Sequence, residues 1–357
     1  MTTEAAPGAG GPGTARQGPS LRGPTRADIG LYVADGASGP TVAMVLHRVL
    51  ARSARAFLLN DLNEEVLDRN RRRRAGGPPG AGDDRPLWAQ TANERADKAA
   101  RRASEFERIH QTRVALRRIR SNLRTFRLAL DPAWGTPLRA ELAWYSGRLG
   151  ETRDLHIIED LIRDKGTQVM SRANVDRLEA VLADQRALVT VELNADRGGA
   201  RRFQLTEQMM VLWDGPHFNT KADLPAAEAL PSMVQRAWHD MRGAARTARK
   251  QPNEANLHAL RIRLKDLRYG CETVAMAEGG PAKKTAKAAE RLQSKLGDVH
   301  DARFSIDWLR AVSKERPELA EPVEALVAVE RVAGAEARKG WKRELKEVER
   351  RWRAWQA

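Results

Sequence analysis

Two histidines, His110 and His258, each begin a row of basic residues at the same offsets. Cations fall at plus three, plus seven and plus ten: Arg113, Arg117 and Arg120 after the first, Arg261, Lys265 and Arg268 after the second. At 100° per residue these offsets span an arc of roughly 80°, so on a helix each row shares one face. Arg124 and Arg127 prolong the first row. Guanidinium, ammonium and imidazolium groups lined up in this way are donors without acceptors, suited to gripping many anionic oxygens by charge-assisted hydrogen bonds. The same cations repel a metal ion, which disfavours zinc or iron on the histidines, and no metal site is expected.

A run of arginine on a helix is ordinarily a solvated face paired with glutamate three or four residues away. The stretch from His110 to Leu130 contains six arginines and no acidic residue, so pairing within it is excluded. Like charges at that spacing oppose one another, and a bound polyanion would relieve the repulsion. The rows are therefore read as ligand-binding faces. On the adjoining face lie Leu116, Ile119, Leu123, Phe126 and Leu130 in one copy, and Leu260, Leu264, Leu267, Cys271 and Val274 in the other. This spacing predicts two helices, each with one side for a core and one for an anion.

A second shared element follows each row, LGETRDLHIIEDL from Leu149 and LGDVHDARFSIDWL from Leu296. The Leu-Gly lies 39 residues after the first histidine and 38 after the second. Two motifs in the same order at the same spacing argue for one domain built from two related halves. Asp154 and Asp301, beside Arg153 and Arg303, are expected to orient arginines, since neither has an evident acidic partner for holding magnesium. Gly150 and Gly297 are read as permitting close helix packing or a bend.

The elements that carry these rows follow from composition. The chain has 357 residues with 62 Lys+Arg against 47 Asp+Glu, a formal net charge of +15, which points to a polyanionic partner. Hydrophobic residues make up 41% and aromatics 5%, which favours an all-α core. Residues 1–38, rich in Gly and Pro, read as a disordered tail, and the domain as 39–357. Within it a first half of about 39–198 holds a helix over 41–67 and a flexible insertion at 70–86 that includes Arg71 to Arg74; a second half covers about 199–357. Helix breaks fall at 131–137, 196–200, 214–225, 250–253, 278–281 and 316–318, giving eight or nine helices, and 324–357 reads as one long amphipathic closing helix. The tryptophans fall at helix-like spacing and are read as core rather than as platforms for bases. A single cysteine, Cys271, excludes an intrachain disulfide, and no leader or run of ~18 apolar residues occurs, so the expected address is cytoplasmic.

Three motifs together resemble one family. The patterns H-x-x-R-V-x-x-R-R-x-R-S-x-L at 110–123, H-x-x-R-I-x-x-K-x-x-R-Y at 258–269 and LQSKLGDVHD at 292–301 resemble the CHAD domain, the conserved histidine α-helical domain. RRFQLTEQMMVLW at 201–213 is similar to that family's short mid-domain helix, and the resemblance spans about 40–355. It implies two pseudo-symmetric four-helix bundles around a central basic pore or groove that binds inorganic polyphosphate, and association with polyphosphate granules and their proteins. By position it implies a ligand-facing set of His110, Arg113, Arg117, Arg120, His258, Arg261, Lys265 and Arg268. Arg118, Arg153, Tyr269, Lys295 and His300 are implied as further contributors. Arg263 departs from the family's pattern, standing where the first copy has Ala115, and is expected to snorkel or to pair with an acid. The insertion at 70–86 departs too.

The expected function is a non-catalytic polyphosphate-binding module with no cofactor and no membrane contact. The alternatives are a nucleic-acid-binding protein, with nucleic acid otherwise a weaker competing polyanion, and a polyphosphate-processing enzyme.

Overall fold

A computed structural model of the chain describes residues 39–61 and 92–356, with side chains from 105 onward in the second stretch. The expected tail at 1–38, the insertion at 70–86 and the end of the helix expected over 41–67 lie outside the described residues. Among those described there is no strand; only two isolated bridges occur, Thr41 with Pro225 and Leu130 with Phe218. No described helix is long and apolar enough to cross a membrane.

The helices are α1 (Val42–Asp61), α2 (Ala92–Thr125), α3 (Pro132–Leu161), α4 (Arg172–Gly198), α5 (Ala200–Asp214), α6 (Ala226–Lys250), α7 (Glu254–Glu278), α8 (Gly280–Glu315), α9 (Ala320–Arg338) and α10 (Trp341–Gln356). Their starts follow local chemistry. The Asp131 side chain accepts from the Ala133 amide and Pro132 begins α3, while Ser171 caps α4 and Asn253 caps α7. The expected single closing helix is two. Gly340, at φ +77°, takes the left-handed backbone that ends α9 and turns the chain into α10. A π-helical stretch, Ile162–Gly166, also interrupts the run after α3, at a place outside the expected helix breaks.

The apolar faces read from the two rows are buried. Leu116, Ile119, Leu123, Phe126 and Leu130 are 0–2% exposed, and Leu260, Leu264, Leu267, Cys271 and Val274 are fully buried. Three cores result. One is enclosed by α1, α2, α3 and α5 and a second chiefly by α6, α7, α8 and α10. The third, which the two-bundle expectation does not contain, joins the carboxyl ends of α3 and α8 to α4 and α9 through Leu155, Ile158, Leu178, Leu309 and Leu326. It exists because α3 and α8, at 30 and 36 residues, are too long to end within one bundle. Trp238, Trp308, Trp341 and Trp352 are buried, in keeping with their core reading, and Trp238 stacks on Trp352 with centroids 4.6 Å apart.

Across the halves, α2 touches α7 through polar pairs. Ser121 donates to Asp266 at 3.0 Å and Thr273 to Asn122 at 2.9 Å. Within the first half, Asp61 at the end of α1 receives the Tyr145 hydroxyl at 2.6 Å and Arg202 Nε at 3.0 Å, pinning α1, α3 and α5 together. Asp61 and Arg202 are fully enclosed, and removing one partner of such a pair strands the other charge in a dry interior. Asp61→Asn is expected to lower the unfolding free energy by about 3–5 kcal/mol in a denaturant titration, with helical content retained in buffer.

Candidate functional site

The two rows meet where α3 and α8 pass from their bundles toward the third core. On α2 lie His110, Arg113 and Arg117; on α3, Arg153 and Asp154; on α7, His258, Arg261 and Lys265; on α8, Asp298, His300 and Asp301. Burial and Arg117 push the Arg113 guanidinium down to about 10, with Arg153 and Arg261 adding to the effect and Asp154 opposing it. Arg261 is likewise lowered by burial, with Asp301 opposing. Lys265 is pushed down to about 7, first by burial and then by Arg261, Arg117 and Arg113. Cations of both rows therefore share one half-buried space.

The repeated glycines give these arginines room. A Cβ on Gly150 would stand 2.9 Å from Arg113 Nη1, and one on Gly297 3.3 Å from Arg261 Nη2. Each Leu-Gly thus lets the plus-three arginine of its own half lie against a helix backbone. The close approach is between side chain and helix, rather than the bend or helix-helix contact expected from sequence. Four buried guanidinium nitrogens here, Arg113 Nη1, Arg117 Nε, Arg153 Nη1 and Arg261 Nε, have no hydrogen-bond partner among the described residues. Asp154 and Asp301 make no hydrogen bond to them among the described residues; burial raises both carboxyls, and the arginines act on them at longer range.

The histidines frame this space in two ways. His258 and His300 face each other with ring centroids 4.5 Å apart, and burial lowers both, helped by Arg261 and Lys265. His110, lowered by burial and by Arg117, lies 6.4 Å from the Phe106 ring, whose centroid is 3.6 Å from that of His156. The Arg153 guanidinium sits 5.7 Å from the Phe106 centroid. Phe106 and His156 were missed in the sequence; Phe106 is four residues before His110, one turn earlier on the same face.

The other expected residues sit elsewhere. Arg118 and Arg268 both bind Glu272, at 3.0 and 2.8 Å, and Arg268 also binds Glu290 at 2.6 Å. Both guanidinium groups lie over the buried Tyr269 ring, at 5.1 and 5.4 Å from its centroid. Arg120 is lowered by burial and by Arg139 on α3, close to Arg124 and Asp266. Lys295 Nζ donates toward the Ala337 carbonyl on α9 at 3.4 Å. Arg263 reaches Asp240 and Asp266 at 3.8 and 3.9 Å, the acid-pairing alternative of its two expected roles. No described group of three or more His, Cys, Asp or Glu is gathered for a metal.

The depressed Lys265 implies a pH-dependent cost. An unfolded lysine titrates near 10.4, so between about pH 7 and 10 the unfolded chain binds a proton that the folded site resists. This group therefore adds stability as pH rises across that window. Lys265→Met is expected to raise the melting temperature of the unliganded protein near pH 7 and to flatten its rise toward pH 10, checked by thermal melts across that range.

Comparison with known proteins supplies the family. The sequence model of the CHAD domain matches residues 89–310. Among solved structures, PptA from Streptomyces chartreusis is similar at TM-score 0.59 and 19% identity, covering 86% of this chain and 99% of its own. The CHAD domain from the plant Ricinus communis is similar at TM-score 0.57 and 19% identity, covering 92% and 97%. No curated protein matches. At these identities the solved structures share the fold, and the sequence match over more than half the chain carries the rest: this protein belongs to the CHAD domain family, which is associated in general with polyphosphate.

Proposed function

We propose that this chain binds inorganic polyphosphate, without cleaving it, along the cationic space between α2, α3, α7 and α8, and that it serves at polyphosphate granules. The observation that carries the reading is the set of buried, unpartnered nitrogens on Arg113, Arg117, Arg153 and Arg261. Each unsatisfied buried donor costs about 1–3 kcal/mol, and a string of phosphates supplies acceptors to all of them at once. The ligand also returns Lys265 and the three histidines to their charged forms, which burial and neighbouring cations now oppose.

A chain of phosphates fits this space better than a nucleic acid. Bases need open aromatic faces to stack upon, whereas the Phe106 ring here is already covered by His156 and the tryptophans of the cores are buried. Asp154 and Asp301 stand as counter-charges that offset the repulsion among the arginines, a positioning role that needs no bond to phosphate.

Three outcomes are expected. In competition at ~150 mM salt, where diffuse attraction is screened, long-chain polyphosphate displaces RNA, and the reverse order of affinity sinks the reading. Arg113→Ala with Arg261→Ala weakens polyphosphate binding by roughly a hundredfold, since each lost charge-assisted bond is worth about 1.5 kcal/mol or more. Because the bound state holds Lys265 protonated, affinity falls as pH rises above about 7, and Lys265→Met removes that part of the slope. Phosphate release from polyphosphate in the presence of magnesium would overturn the non-catalytic part.

A further inference from the structure

The two halves differ at the far ends of their basic rows. Fourteen residues after His110 stands Arg124, and fourteen after His258 stands Glu272. Eight residues after, the pair is Arg118 and Asp266. The repeat thus exchanges the sign of charge at two positions, and the structure shows the consequence.

At the end of the second row, two cations meet two carboxylates. Arg118 and Arg268 are held by Glu272, and Arg268 also by Glu290. Two carboxylates there stand against the two cations. At the end of the first row the balance is different. Arg124 binds Asp266 at 3.3 Å, Arg263 approaches the same carboxylate at 3.9 Å, and Ser121 donates to it at 3.0 Å. Arg127 lies one turn on and donates to the Arg124 carbonyl at 3.4 Å. Arg120 and Arg139 complete the group and make no hydrogen bond or ion pair among the described residues. Burial and the neighbouring arginines lower both of them, while Asp266 alone opposes. Arg120 and Arg124 of α2 and Arg139 of α3 therefore share one carboxylate, Asp266, with Arg263 of α7, which also faces Asp240, and Arg127 stands beside them in the turn after α2.

From this imbalance we infer that Arg120, Arg124, Arg127 and Arg139 form a second anion subsite, which takes a polyphosphate chain beyond the central cluster toward the end of α2, and that Glu272 and Glu290 close the equivalent end of the second half. The inference rests on the polyphosphate reading above and adds a direction to it. From Arg113 to Arg124 is eleven residues of helix, roughly 16 Å, so a chain must be long to engage both places. A short phosphate oligomer is held at the centre alone.

The test compares tripolyphosphate with long-chain polyphosphate on the full chain at ~150 mM salt. For Arg124→Ala with Arg139→Ala, long-chain affinity is expected to fall at least about tenfold more than tripolyphosphate affinity, removing the preference for length. Equal losses for both ligands, or no loss for either, overturn the second subsite. Glu272→Gln gives an independent readout, because freeing Arg118 and Arg268 should tighten long-chain binding; unchanged or weaker binding overturns the closed end. If the wild-type chain fails to bind long-chain polyphosphate, or Arg113→Ala with Arg261→Ala leaves it bound, the underlying reading fails. If those results hold and the Arg124 and Arg139 substitutions show no length selectivity, only the direction fails.

Discussion

Like charge confined by apolar packing is the constraint on which this protein depends. Arg113, Arg117, Arg261 and Lys265 repel one another, and in an unfolded chain they would separate into water. They are kept together because the opposite faces of α2 and α7 are sealed into cores through Leu116, Ile119, Leu123, Leu260, Leu264 and Leu267. Burial of each such side chain contributes about 1.5–3 kcal/mol, enough in sum to outweigh several repulsive pairs. The site is thus a strained electrostatic arrangement held by hydrophobic means.

That arrangement explains several features that separately look like defects. Buried donors without acceptors, a lysine pushed to about 7 and histidines held toward neutrality all weaken the empty protein. On the proposed reading each becomes favourable once an anion arrives, so that stability surrendered in the free state would become selectivity for a ligand dense in charge. Gly150 and Gly297 belong to the same logic, since a side chain at either place would require the neighbouring guanidinium, of Arg113 or Arg261, to shift. The third core keeps α3 and α8 rigid beyond the site, so that Asp154 and Asp301 stay opposed to the arginines.

The end of the second row shows how few acids are needed to pair a basic row. Arg268 carries the same charge and occupies the same offset as Arg120, yet two glutamates absorb it. Position in a repeat marks what a side chain can reach; its neighbours on other helices determine whether it is free to act. A buried triad such as Asp61, Tyr145 and Arg202 serves a different end, fixing three helices through satisfied charge rather than frustrated charge.

By itself the sequence determined the all-helical class, the two related rows, the apolar face behind each and the core role of most tryptophans. These depend on offsets of three, four and seven along one helix, which local geometry fixes. It also carried the central cations, because both copies repeat them. Only the tertiary structure decided which cations converge and which are neutralised. Glu272 meets Arg118 across 154 residues and Asp266 meets Arg124 across 142, and no periodicity within a helix encodes such pairings. The break at Gly340, the third core and the stacking of His156 on Phe106 were decided there too, since each arises where separate helices cross or end and packing selects the partner.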